Sequence, residues 1–153
     1  MVPVQRSLGF AGIGLMGLPM ARRLLGAGYA LSVWNRSKGK CAGLGHEGAR
    51  VVSEPAHLCD DADLVLLCLA DTEAVREVVF GRGGIVERGR PGQLLVDFSS
   101  LDPAATREMA AELEARTGMR WIDAPVSGGT QGAEAGTLAI MAGGRQEDIE
   151  RVR

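Results

Sequence analysis

The segment that most constrains the fold is Leu8-Gly9-Phe10-Ala11-Gly12-Ile13-Gly14-Leu15-Met16-Gly17, an apolar run entering a Gly-x-Gly-x-x-Gly turn. Ser7 to Ala11 is short and apolar, as a buried strand requires. Leu15, Met16, Met20, Leu24 and Leu25 then recur at helical spacing until Gly26-Ala27-Gly28 ends the pattern. A second apolar run, Ala30 to Trp34, follows at once. Strand, glycine turn, helix and strand in that order predict a βαβ unit, with the helix over Leu15–Leu25. The glycines divide the work: Gly12 takes the tight turn, Gly14 lets a ligand approach the main chain, and Gly17 lets the helix pack on the sheet. Backbone N–H groups and the positive dipole end at the helix start then face an anion, and the pyrophosphate of a dinucleotide is the matching group. With 22 glycines in 153 residues the string alone is weak; its place between a strand and a helix carries the inference.

The rest of the chain repeats the alternation. Gly39 to Glu47 reads as helical, Ala49 to Val52 as a short strand and Glu54 to Cys59 as a brief helix. Asp63-Leu64-Val65-Leu66-Leu67-Cys68-Leu69 is continuously apolar after its first residue, as a parallel strand covered on both faces must be, and is expected at the centre of the sheet. Thr72 to Phe80 places Val75, Val78 and Val79 on one helical face, and Gly81-Arg82-Gly83-Gly84 interrupts it. A turn at Pro91-Gly92 leads into a strand over Gln93 to Phe98, and Asp102-Pro103 starts a helix that runs to about Thr117. Met119 to Ala124 and Gly136 to Gly143 read as further strands, and Gln146 to Arg153 begins a charged amphipathic helix. The expected fold is α/β, a Rossmann-type doubly wound, mainly parallel sheet, with residues 1–153 forming one nucleotide-binding domain.

In such a sheet ligands lie beyond the carboxyl ends of the strands, which marks the loops starting at Gly12, Asn35, Leu69, Ser99 and Pro125. The second strand ends in Trp34-Asn35-Arg36-Ser37-Lys38-Gly39-Lys40, where a carboxylate would bind a free ribose 2′-hydroxyl. No carboxylate is present and three cations are. An acid would repel a 2′-phosphate, whereas Arg36 can grip one bidentately, so the expected cofactor is NADP in preference to NAD. The plainer alternative is that Arg36, Lys38 and Lys40 form a solvated loop. Ser99 and Ser100 could bond a ribose or amide, or could cap a turn with no ligand at all. Asp123-Ala124-Pro125-Val126-Ser127-Gly128-Gly129 ends a strand with a hydroxyl and two glycines, whose consecutive N–H groups suit a carboxylate, although Ser-Gly-Gly is also ordinary loop chemistry.

Composition narrows the partners. A net charge of −2 offers no broad basic field for nucleic acid, and the longest apolar stretch, Leu64 to Ala70, is too short to span a bilayer. Cys41, Cys59 and Cys68, with His46 and His57, form no metal-ligand spacing. With no signal-like N-terminus, these features lead us to expect reduced thiols, the cytoplasm, no membrane and no nucleic-acid partner.

Gly9 to Gly17, Asn35-Arg36-Ser37, Val96-Asp97-Phe98-Ser99-Ser100 and Asp123 to Gly129, continued by Gly132-Ala133 and Gly136-Thr137-Leu138, resemble the β-hydroxyacid dehydrogenase family in order along essentially the whole chain. That family includes 3-hydroxyisobutyrate dehydrogenase, tartronate semialdehyde reductase and the glyoxylate/succinic semialdehyde reductases. The resemblance implies reversible hydride transfer between NADP(H) and a small β-hydroxyacid or semialdehyde. It implies cofactor binding by Gly12, Ile13, Gly14, Leu15, Met16, Gly17, Asn35, Arg36, Ser37, Lys40, Leu69, Ala70 and Ser100, and substrate-carboxylate binding by Ser127, Gly128 and Gly129. Family members run to nearly twice this length, adding an all-helical C-terminal dimerisation domain that begins with the catalytic lysine. The only lysines here are Lys38 and Lys40, so no catalytic residue is expected in this chain, and the chain is expected to be an N-terminal half whose full-length form is a homo-oligomer. Two alternatives stand beside this reading: a non-catalytic NADP(H)-binding module, and an imine reductase, which shares the Gly12 to Gly17 and Asn35-Arg36-Ser37 features but not Asp123 to Gly129.

Overall fold

The computed structural model describes residues 6–153. Met1 to Gln5, on which part of the N-terminal expectation rests, lie outside the described residues. Six parallel strands form the main sheet: β1 (Ser7–Ala11), β2 (Ala30–Trp34), β3 (Arg50–Val51), β4 (Leu64–Leu67), β5 (Leu94–Asp97) and β6 (Arg120–Asp123), in the order β3-β2-β1-β4-β5-β6. The strand order reverses between β1 and β4, which open a crevice at the carboxyl edge. β4 is central as its composition predicts, paired in register with β1 (Leu8 opposite Leu64) and with β5 (Leu67 opposite Asp97).

Helices cover both faces: α1 (Gly17–Gly26), α2 (Ala42–His46), α3 (Thr72–Phe80) and α4 (Pro103–Thr117), with 3-10 turns at Lys38–Cys41, Pro55–Cys59 and Ile85–Glu87. Alternate β4 residues face opposite sides, so Val65 and Leu67 join one core with Val75, Val79, Leu95 and Met109. Leu66 joins the other with Phe10, Ile13, Val33, Leu94 and Ile122. The two long downstream helices begin where their acids predict. Asp71 accepts the Ala74 N–H at 2.8 Å and Asp102 the Ala105 N–H at 3.0 Å, each satisfying one donor that a helix start leaves unpaired.

The structure departs from the sequence expectations in three places. α1 starts at Gly17, two residues late; Gly14 to Leu18 is a turn closed by the Leu18 N–H on the Gly14 carbonyl at 3.0 Å. The expected helix over Gly39 to Glu47 is split into a 3-10 turn and the short α2. Gly136 to Gly143 supplies only β8 (Ala139–Ile140), antiparallel to β7 (Val126–Ser127) in a separate two-stranded sheet around α5 (Gly129–Ala135). The physical reason is the glycines: Gly128, Gly129 and Gly136 all hold positive φ and fold the chain back on itself before a crossover can form. The last element, α6 (Gln146–Val152), is held to β6 by Arg120, whose guanidinium pairs with buried Asp148 at 2.7 Å and with Glu147 at 2.9 Å.

Candidate dinucleotide site

The three glycines of the opening motif are required for different reasons. At Gly12, φ is +102° and a Cβ would land on the Cys68 carbonyl; at Gly17 it would land on the Gly12 carbonyl. Those two positions are glycine because the backbone itself closes there. A Cβ on Gly14 meets nothing. Space stands open in front of Gly14, and among the described residues the amides of Gly14, Leu15 and Met16 donate to no acceptor. Leu15 is 85% exposed at the same turn. Open space, free N–H groups and the start of α1 together fit a diphosphate.

The end of β2 is fastened to this turn. Asn35 Oδ1 accepts the Ile13 N–H at 2.8 Å, and its Nδ2 donates to the Ser37 carbonyl at 3.0 Å. Gly12 N–H reaches the Trp34 carbonyl at 3.0 Å. Asn35 thus shapes the glycine loop, while the Ile13 amide is already used and its side chain lies in the core. Arg36, Ser37 and Lys40 are exposed, and neither Arg36, Lys38 nor Lys40 has an ion pair or side-chain hydrogen bond among the described residues. Nearby Arg22, by contrast, is neutralised by Glu47 at 3.0 Å.

Two concavities flank the loop. A cleft of about 460 Å³ runs between Trp34, Asn35 and Arg36 on one side and Leu69, Ala70 and α3 on the other, where Asp71, Glu73 and Glu77 face it. A wider groove of about 1050 Å³ lies between α1 and α5, with Ile13, Gly14, Leu15 and Lys40 at one end and Thr130 and Glu134 at the other. The cofactor residues expected from the sequence therefore divide: Asn35, Arg36, Leu69 and Ala70 line the cleft, and Ile13, Gly14, Leu15 and Lys40 the groove. Gly12, Met16, Gly17, Ser37 and Ser100 line neither.

At the ends of β4 and β5 the chain holds a bond relay that sequence reasoning missed. The Leu69 N–H donates to Ser99 Oγ at 2.8 Å, and the Ser99 N–H donates to Asp97 Oδ1 at 2.9 Å. Asp97 is fully buried, and its Oδ2 has no partner. Burial pushes its carboxyl up to about 6, opposed by hydrogen bonds from Ser99 and assisted by the charge of Asp123, its in-register neighbour on β6. Burial also raises Asp123, and pushes the Cys68 thiol up to about 11, with the Asp97 charge adding to the rise. The available signal was an acid closing an otherwise apolar strand.

Ser127, Gly128 and Gly129 are exposed at the turn from β7 into α5. Gly128 and Gly129 have φ of +135° and +61°, and their amides have no acceptor among the described residues. They line neither concavity, but Thr130, the next residue, lines the α1–α5 groove. Arg23 bonds the Glu134 carbonyl at 2.9 Å and so ties α5 to α1.

Residues 7–153 match the family model described as the NAD binding domain of 6-phosphogluconate dehydrogenase. The chain belongs to that family. It is 38% identical over 93% of its length to human mitochondrial 3-hydroxyisobutyrate dehydrogenase, spanning 42% of that enzyme. It is equally identical over 95% of its length to the cytokine-like nuclear factor N-PAC of Xenopus tropicalis, spanning 27% of it. Among solved structures, Mycobacterium tuberculosis 3-hydroxyisobutyrate dehydrogenase with L-serine superposes with a TM-score of 0.88 at 34% identity, over 98% of this chain and 50% of that one. Psf3 in complex with NADP+ and 2-OPP gives 0.89 at 33%, over 95% and 51%. An imine reductase from Bacillus cereus gives 0.85 at 29%, over 96% and 50%. The chain thus spans about half or less of each of these proteins, and its Rossmann-type domain corresponds to part of an oxidoreductase in most of them.

Proposed function

We propose that this chain is the cofactor-binding half of an NADP-dependent oxidoreductase of the 3-hydroxyisobutyrate dehydrogenase type, acting on a small β-hydroxyacid or semialdehyde. The observation that carries the reading is the open space before Gly14, with three free amides among the described residues, beside a loop whose cations Arg36, Lys38 and Lys40 make no ion pair among those residues. Gly14, Leu15 and Met16 would hold the diphosphate through their amides, and Arg36 and Lys40 the 2′-phosphate. The nicotinamide, when bound, supplies or accepts the hydride. Ser127, Gly128 and Gly129 would hold a substrate carboxylate through the free amides and hydroxyl, and this fixes which carbon faces the reacting ring.

The only lysines lie in the cofactor loop, so this chain offers no further lysine to stabilise and protonate a developing alkoxide. The 153-residue chain by itself is therefore expected to bind cofactor and to turn over substrate feebly or not at all, with the active protein a homo-oligomer of a longer chain. Calorimetric titration with NADPH and NADH tests the cofactor assignment, and tighter binding of NADH sinks it. Turnover of a small semialdehyde by this chain at ordinary enzyme rates would overturn the division of labour. The similarity to a nuclear factor supports one other reading, a module that binds NADP(H) without catalysis. A panel of glyoxylate and the succinic, tartronate and methylmalonate semialdehydes, run with NADPH on the full-length protein, separates the two.

A further inference from the structure

Asp97 is the buried group that this reading leaves without a task. Polar groups buried with an unmade hydrogen bond are uncommon and costly, and Asp97 Oδ2 is one. It sits at the carboxyl edge of a central strand, where ligands of such sheets bind. Its other oxygen accepts from the Ser99 N–H at 2.9 Å, and the equally buried Ser99 accepts the Leu69 N–H at 2.8 Å. Leu69 and Ala70 line the cleft, and Ser100 follows Ser99 into solvent. Two loops from neighbouring strands are thereby joined through one side chain.

We propose that Asp97 is a positioning residue of the dinucleotide site, working as a carboxylate: through Ser99 it ties the loop after β4 to the loop after β5 and holds Leu69, Ala70 and Ser100 in the arrangement that receives cofactor. The proposal rests on the dinucleotide reading above. An ionised carboxyl is acceptor-only, matching the N–H that Ser99 donates, whereas a protonated one or an amide brings a donor of its own to a buried position that has no partner. The charged groups facing Asp97 are Asp123 from β6 and, once ionised, Cys68 from the end of β4. With a carboxyl that titrates at about 6, the relay weakens in mild acid.

The test is fluorescence titration of NADPH against the 153-residue chain between about pH 5 and pH 8, comparing wild type with D97N, S99A and D123N. D97N should bind roughly tenfold more weakly at pH 8 and should lack the part of the acid loss that Asp97 contributes. Every other titratable group is common to both proteins, so the difference between the profiles reads Asp97. S99A should reproduce the weak binding, and D123N, by removing a like charge, should move the midpoint to lower pH. D97N or S99A binding as wild type does, with an unchanged profile, overturns the proposal. Should D97N fail to fold, a D123N midpoint that does not move, or a profile that vanishes in D123N, overturns it instead. Wild-type chain that binds no NADPH at any pH overturns the dinucleotide reading and this proposal with it, whereas normal wild-type binding with indifferent variants overturns only the role of Asp97.

Discussion

At the scale of single residues, identical letters carry opposite duties. Gly12 and Gly17 are demanded by backbone that closes on them, and Gly14 by space it leaves open. Gly12→Ala should cost more than about 2 kcal/mol, since it combines a positive φ with a collision on the Cys68 carbonyl. Gly14→Ala should change stability by less than about 1 kcal/mol yet weaken cofactor binding at least about tenfold. Urea unfolding beside an NADPH titration reads both, and equal behaviour of the two variants would refute the division. Asp97 gives a second contrast. Its folded value, about 6, lies above the ordinary carboxylate value. The stability it contributes is therefore full below the unfolded value and lost as pH rises through about 6. Wild type should lose up to about 3 kcal/mol relative to D97N between about pH 4 and pH 8, measured by paired denaturant curves. A group that lowers stability at neutral pH while improving binding is a site residue. The sequence marked all three glycines but not this acid, because burial and an in-register neighbour, which create its character, come from strands 26 residues apart in the chain.

At the scale of elements, local signals were legible wherever a chemical device sits at an end. Asp71 and Asp102 cap α3 and α4 as their positions predict, and the apolar run at β4 is central because both its faces are covered. The strand expected within Gly136 to Gly143 forms only as the two residues of β8, outside the main sheet: the positive-φ Gly128, Gly129 and Gly136 reverse the chain, and reversal dictates antiparallel pairing whatever the strand propensity. α6 is short and depends on what it touches. Asp148 is almost wholly buried, and Arg120 is its partner at 2.7 Å with a quarter of its own side chain exposed. Arg120→Ala leaves that carboxylate only the more distant Arg151, at 3.9 Å, and should cost roughly 2 kcal/mol. Amide hydrogen exchange should then show α6 opening ahead of the sheet; unchanged protection there would count against the pair as its anchor.

At the scale of the molecule, the βαβ alternation, the glycine turn and the basic loop after β2 determined the fold class and the edge at which we propose a dinucleotide binds, since periodicity and turn chemistry are local properties of the chain. If NADP bridges the cleft and the glycine turn, a concentration about a hundred times its dissociation constant should raise the unfolding free energy by about 2.7 kcal/mol, and the same concentration of NAD by less. Thermal unfolding with each cofactor checks this, and an equal or larger effect of NAD counts against the 2′-phosphate site. Tertiary structure alone decided three things: that Asn35 clamps the Ile13 amide, that the expected cofactor residues split between a cleft and a groove, and that Asp97 and Ser99 join two loops. Each depends on residues brought together by parallel pairing across crossovers, and such pairing places side by side groups whose spacing in sequence carries no trace of the contact.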